Sequence, residues 1–156
     1  MILCDQSIRL NVESGALVIR PFNVRQVQPS SYDLTLGGDE PLVLVPRKFA
    51  LARTVEWVEL GAGIQGQVHG RSSVGRMGVQ VHFTAGLIDP GFKGTITLEC
   101  MAFDEERGPV TFYPGDRIAQ ISFHWLDAPA VYPYNGRYQG QVDATASKFE
   151  HEKEIP

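Results

Sequence analysis

The stretch TITLECM, residues 95–101, alternates between polar and apolar side chains from Thr95 to Cys100. Ile96, Leu98 and Cys100 point one way, and Thr95, Thr97 and Glu99 the other, the period-two pattern of a half-buried strand. The chain repeats this pattern on both sides. Ile118 to Trp125 places Ala119, Ile121, Phe123 and Trp125 on one face and Gln120 and Ser122 on the other. Ile64 to His69 sets Ile64, Gly66 and Val68 against Gln65, Gln67 and His69. Residues 26–36 run from a Pro-Ser-Ser turn into a strand with Tyr32, Leu34 and Leu36 on one side. Shorter strands are expected at Ala16–Ile19, Pro41–Val45 and Val79–Thr84, and a longer one at Phe49–Leu60. Sixteen glycines and ten prolines separate these runs. Short strands divided by turn signals predict an all-β, jelly-roll-like sandwich or barrel. The exception is the start. Asp5 is placed to cap a short helix, Ile8 and Val12 lie one turn apart, and Gly15 is placed to end it.

One domain over 1–156 is expected for a chain of this length. Residues 128–156 change character: Pro129, Pro133, Asn135 and Gly136 exclude a core strand, and the segment reads either as a loose C-terminus or, since Arg137, Tyr138, Gln139 and Gln141 are useful contact residues, as an arm closing over a ligand. The net charge of −4 argues against nucleic acid as a general partner, so any anion site must be local. Cys4 and Cys100 match neither a metal spacing nor a disulfide framework, which suits a reducing cytoplasm. No apolar run has the length of a membrane span, and Asp5 and Arg9 argue against a signal peptide, so a cytoplasmic location is expected.

Polar chemistry concentrates between residues 70 and 99. Gly70-Arg71-Ser72-Ser73-Val74-Gly75-Arg76 is either a polar turn with solvated arginines or an anion site, in which glycines let backbone N–H groups approach a ligand and hydroxyls and guanidinium forks donate to phosphate oxygens. No Walker pattern is present. Asp89, in Asp-Pro-Gly, either starts a turn or accepts from a sugar hydroxyl. Glu99 is an ordinary exposed residue if its face meets solvent, and a candidate general base if that face lines a pocket. His69, His82, His124 and His151 form no HExxH pair, and no H-x-E with P-C-x-x-C exists for a zinc deaminase.

RSSVGRMG, HFTAGLIDPGFKGTITLE and YPGDRIAQISF, with Pro29 to Leu34 and Tyr138 to Gln141, resemble the dCTP deaminase family of the trimeric dUTPase-like superfamily. The resemblance implies a distorted dUTPase-like β-barrel with a short N-terminal helix and a C-terminal arm. It also implies a homotrimer with active sites shared between subunits. The implied activity is zinc-independent deamination of dCTP, with Mg²⁺ carried by the triphosphate. Glu99 matches the catalytic carboxylate, with Ser72 and Arg76 orienting it and the water. Arg71, Ser72, Ser73, Val74, Gly75 and Arg76 match the segment that binds the triphosphate and frames the base. Asp89 matches the aspartate near the deoxyribose, and Thr97, Leu98 and Glu99 the strand that meets the base. Gln120 is similar to a site glutamine in part of the family. Tyr134, Arg137 and Gln141 match the tail contacts, with Arg137 where a lysine is common. Gly86 after Ala85 resembles members that continue to dUMP; others release dUTP. The alternatives are a dUTPase alone and a non-catalytic nucleotide-binding relative. The segment between Leu36 and Phe49 is shorter than in longer members.

Overall fold

The computed structural model describes residues 1–149. Of the expected arm at 128–156, residues 150–156 lie outside the described residues, as does His151. Helix α1 (Asp5–Ser14) leads into β1 (Leu17–Arg20), β2 (Val27–Gln28), β3 (Ser31–Thr35), β4 (Leu42–Leu44), β5 (Ala50–Leu60) and β6 (Ile64–Gly70). A single turn, α2 (Ser72–Gly75), follows. Then come β7 (Val79–Gln80), β8 (Leu87–Ile88), β9 (Lys93–Ala102), β10 (Val110–Phe112) and β11 (Arg117–Trp125). The strands form antiparallel sheets in the orders β1-β5-β9-β7, β10-β4 and β2-β3-β11-β6-β8. They share one apolar core. This is the all-β architecture expected, although no sheet closes into a ring among the described residues. No described helix is long and apolar enough to cross a membrane.

Alternation selected the buried faces correctly. Tyr32, Leu34, Leu36, Ile64, Val68, Ile96, Leu98, Cys100, Ala119, Ile121 and Phe123 all lie in the core. Trp125 does not, because it ends its strand and is exposed. Gly15 closes α1 in the left-handed conformation at φ 77°. Cys4, not Asp5, is the capping residue, and its side chain makes no capping bond. Asp5 is the first helical residue, where its charge faces the positive end of the helix.

Two departures shape the site. The strand expected at Val79–Thr84 pairs only through Gln80. Beyond it, Glu99 N–H donates to the Val81 carbonyl, and the Phe83 N–H turns to the Glu99 carboxylate. The chain peels off the sheet because a side chain has taken its backbone donor. In β5 the register slips between Arg53 and Trp57, which turns Thr54 and Glu56 inward. Glu56, 1% exposed, accepts from Gln26 Nε2, Thr35 N–H and the Thr35 hydroxyl. It ties β5 to β3 across the core.

From Ala128 to Phe149 no strand or helix forms. Instead the arm is fastened to the turn before β9. Gln139 Nε2 donates to the Gly91 and Tyr134 carbonyls, and its Oε1 accepts from Lys93 N–H. Thr95 N–H donates to the Gln141 carbonyl at 2.9 Å, and Gln141 Nε2 returns a bond to the Thr95 carbonyl at 2.9 Å. This covers Thr95, whose face alternation set opposite Ile96, Leu98 and Cys100 without deciding between solvent and a pocket. Gly91 sits at φ 90°, and a Cβ there would lie 2.6 Å from Pro133 Cβ, so a glycine is required where arm meets turn.

Candidate active site

β9 and the arm build a cavity of about 410 Å³. Asp89, Thr97, Glu99, Tyr134 and Gln141 line it, together with apolar walls from Phe49, Leu51, Phe92 and Ile96. Glu99 is half-buried, and its Oε2 accepts from the Phe83 N–H at 3.1 Å. That bond fixes the carboxylate plane, because the donor belongs to backbone. Thr97 Oγ1 accepts from the Thr145 N–H at 3.2 Å, so the arm meets the cavity again four residues past Gln141. Arg53 pairs with Asp143 beside it at 3.3 Å. An apolar slot with one positioned carboxylate and several neutral polar groups suits a flat heterocycle.

A second cavity lies at the end of β11, lined by Ser31, Asp33, Arg71, Ser72, Ser73 and Gln120, among others. Ser72 and Ser73 occupy the first turn of α2, where backbone donors have no acceptor within the helix. Arg71 is held on two sides. Its Nε lies 3.2 Å from Asp33 Oδ1, and its Nη1 donates to the Arg117 carbonyl at 2.8 Å. Gln120 is spanned between the Ser31 hydroxyl and the Gly70 carbonyl. Hydroxyls and a pre-oriented guanidinium in an open basin suit phosphate oxygens.

The residues matched from the sequence therefore divide. Asp89, Thr97, Glu99, Tyr134 and Gln141 meet in the first cavity, and Arg71, Ser72, Ser73 and Gln120 in the second. The two cavities share no residue. Val74 and Leu98 are core residues whose side chains face away from both, so only their backbone can serve a ligand. Gly75 and Arg76 are exposed and line neither cavity. Arg137 is exposed, its Nη1 donating to the Lys148 carbonyl. Sequence reasoning missed Asp33, Phe49, Phe92 and Thr145. Only Asp33 carried a signal, as a carboxylate opposite the apolar face of β3. Among the described residues, no group of three or more His, Cys, Asp or Glu could hold a metal ion.

A family model described as dCTP deaminase-like matches residues 38–126. A protein of Dictyoglomus thermophilum named "dCTP deaminase, dUMP-forming" is 40% identical over 186 aligned residues, which cover 96% of this chain and 95% of that protein. The alignment exceeds the 156 residues of the chain, so that relative carries segments this one lacks. A protein of the same name from Methanosphaera stadtmanae is 36% identical, with 99% and 96% covered. Among solved structures, the 2'-deoxycytidine 5'-triphosphate deaminase of Agrobacterium tumefaciens superposes with a TM-score of 0.67 at 23% identity, over 78% of this chain and 46% of that one. The EIAV dUTPase superposes at 0.58 and 17% identity, over 76% of this chain and 96% of that one. These two likenesses concern the fold. With a model spanning more than half of its residues and near-full-length relatives at 36–40% identity, the chain belongs to the dCTP deaminase-like family.

Proposed function

We propose that the protein hydrolyses dCTP to dUMP, ammonia and pyrophosphate, with the cytosine in the Glu99 cavity and the triphosphate in the Arg71–Ser73 basin. The observation that carries this reading is Glu99 itself, a carboxylate fixed by a backbone N–H on the wall of a largely apolar slot. Glu99 takes a proton from water as that water attacks the amino-bearing ring carbon. It then returns protons to the ring nitrogen and the departing ammonia. Asp89, exposed on the cavity rim, meets the deoxyribose. Tyr134 and Gln141 close the slot. The dUMP-forming relatives, and Gly86 where others carry histidine, favour cleavage of the phosphate chain after deamination. Mg²⁺ supplies charge neutralisation of the triphosphate, and no protein ligand is assigned to it.

Because the cavities share no residue within one chain, the complete site is assigned to the boundary between copies, in a homotrimer. One copy supplies Glu99, and its neighbour supplies Arg71, Ser72, Ser73 and Arg76. Exposed Arg76, idle in the single chain, finds its use there by orienting Glu99 and water.

Purified protein with Mg²⁺ is to be incubated separately with dCTP, dUTP and dCMP, and the products resolved by chromatography. dUMP, ammonia and pyrophosphate from dCTP are expected. Accumulating dUTP would remove the phosphate-cleaving half of the reading. Hydrolysis of dUTP with dCTP untouched would make the protein a dUTPase, and binding without turnover a regulatory relative. Glu99→Gln is expected to lower deamination by about 10²–10⁴-fold while nucleotide binding, followed by calorimetry, persists. Near-parental turnover in that variant would free Glu99 of its role.

A further inference from the structure

Glu99 is anchored to a segment that is itself lightly held. Val81 accepts from the Glu99 N–H and Gly86 from the Val68 N–H, and residues 82–85 between them belong to no strand. Among the described residues this stretch makes one hydrogen bond, from the Phe83 N–H to Glu99 Oε2 at 3.1 Å. A backbone donor fixes a carboxylate only as firmly as its own segment is fixed. One ring contact does that here. Phe83 packs against Phe49 with centroids 5.6 Å apart and planes tilted by 56°, a geometry that aromatic quadrupoles favour.

Register explains how Phe49 reaches that position. Ala50 pairs with Cys100 and Leu51 with Glu99, so Phe49, two residues before Leu51, shares the sheet face of Glu99. The preceding turn is tied down, with Lys48 N–H donating to the Val45 carbonyl and Arg47 N–H to the Ala102 carbonyl. Phe49 thus stands between the cavity, which it lines, and Phe83, which does not line it. Phe49 is 54% exposed, whereas Phe92 on the same cavity is 6% exposed. Any apolar residue could serve as wall at so open a position, but a tilted ring pair needs an aromatic one. Fixing Oε2 also divides the carboxylate. Oε1 makes no hydrogen bond among the described residues, so both of its lone pairs are open to water.

We propose that Phe49 is a positioning residue for deamination: its ring steadies Phe83, the Phe83 N–H anchors Glu99 Oε2, and Oε1 is left as the oxygen that takes the proton from water. The proposal deepens the Glu99 reading above and rests on it. As the water oxygen bonds to the amino-bearing carbon, one O–H bond of water breaks and an Oε1–H bond forms. That proton passes to the ring nitrogen. The proton of the new hydroxyl then travels through Oε1 to the amino group, which leaves as ammonia, and the carboxylate is restored. Without the Phe49 ring, Phe83 and the carboxylate drift together, which penalises these steps more than nucleotide binding.

The test combines hydrogen exchange of the Phe83 amide, resolved by NMR on ligand-free protein, with steady-state turnover of dCTP. The proteins are the parent, Phe49→Leu, Phe49→Tyr and Phe83→Leu, and Glu99→Ala sets the exchange rate of the released amide. Phe49→Leu is expected to speed that exchange about two- to tenfold while β9 and β11 keep parental rates. The same variant is expected to lose about tenfold or more in kcat, with KM within about threefold of the parent. Phe49→Tyr, which keeps a ring, is expected to recover most of both losses. Phe83→Leu leaves the cavity wall intact and is expected to reproduce the kcat loss, and the double variant to fall no further than either single one. Parental exchange at Phe83 in Phe49→Leu overturns the proposal. So does a raised KM with unchanged kcat, which would make Phe49 a wall and nothing more. Should Phe49→Leu loosen the whole fold, Phe83→Leu decides, and a near-parental kcat there overturns the proposal. An active parent with indifferent variants removes the positioning role alone. A parent that leaves dCTP untouched removes the functional reading and this role with it.

Discussion

Asp33, 2% exposed, faces two guanidinium groups at once: Arg71 at 3.2 Å and Arg117 at 3.4 Å. Gln28 Nε2 also reaches it, at 3.4 Å. A carboxylate so placed locks Arg71 in one rotamer before any phosphate arrives, which lowers the ordering cost of binding. Asp33→Asn keeps the shape and removes the charge. The expected loss of stability is roughly 1–3 kcal/mol by urea unfolding, towards the lower end because both arginines are about a third exposed and screened by solvent. With Arg71 on the triphosphate as proposed, KM for dCTP is expected to rise more than kcat falls, since the variant would loosen that contact and leave Glu99 alone. An equal fall in both kcat and kcat/KM would place Asp33 in the chemistry instead. Tyr32 makes the opposite point about polar groups in the core. Burial pushes its phenol up to about 12, outweighing the bond it accepts from the Asn23 N–H. A phenol raised in the folded state stabilises fully below its unfolded pKa of about 10, and this contribution fades as pH rises through 12. Urea midpoints measured at about pH 9 and pH 11 are expected to fall, and Tyr32→Phe is expected to flatten the difference.

Among elements, the slipped β5 bears most of the architecture. Its inward Glu56 serves Gln26, Thr35 N–H and the Thr35 hydroxyl, and Thr54 beside it accepts from Ile96 N–H at 3.0 Å. One bulge thus positions β3, which carries Asp33, and β9, which carries Glu99. Glu56→Ala would orphan at least the two Thr35 donors in the core. A loss of about 3 kcal/mol is expected from chemical denaturation, with activity falling in the surviving folded fraction. None of this could be read from the sequence. Period-two patterning located β6, β9 and β11 because each buries one face and wets the other. It missed β8 and β10, which have two and three residues and so show no period. It overran β7, because the competing acceptor for Phe83 N–H was the Glu99 side chain, sixteen positions later in the chain. At the site, Glu99 and Asp89 were legible as carboxylates in polar company. Glu56 was not, and Asp33 showed only as a carboxylate opposite the apolar face of β3, since the roles of both depend on arginine and threonine partners distant in sequence.

For the molecule as a whole, the arm and the sheets do different work. The sheets fix Glu99 and Arg71 to one rigid core. The arm, held through Gln139 and Gln141, decides how closed the Glu99 cavity is. If one copy supplies Glu99 and its neighbour Arg71, as proposed, the separation of the two within each chain has a consequence at the level of alleles. Two chains, one damaged at Glu99 and the other at Arg71, are each inert alone. On that reading, co-expressed chains are expected to assemble sites that draw the sound half from each, with random mixing restoring about a quarter of the sites, which dCTP turnover of the mixture checks. A defect in one gene copy is then rescued by a different defect in another.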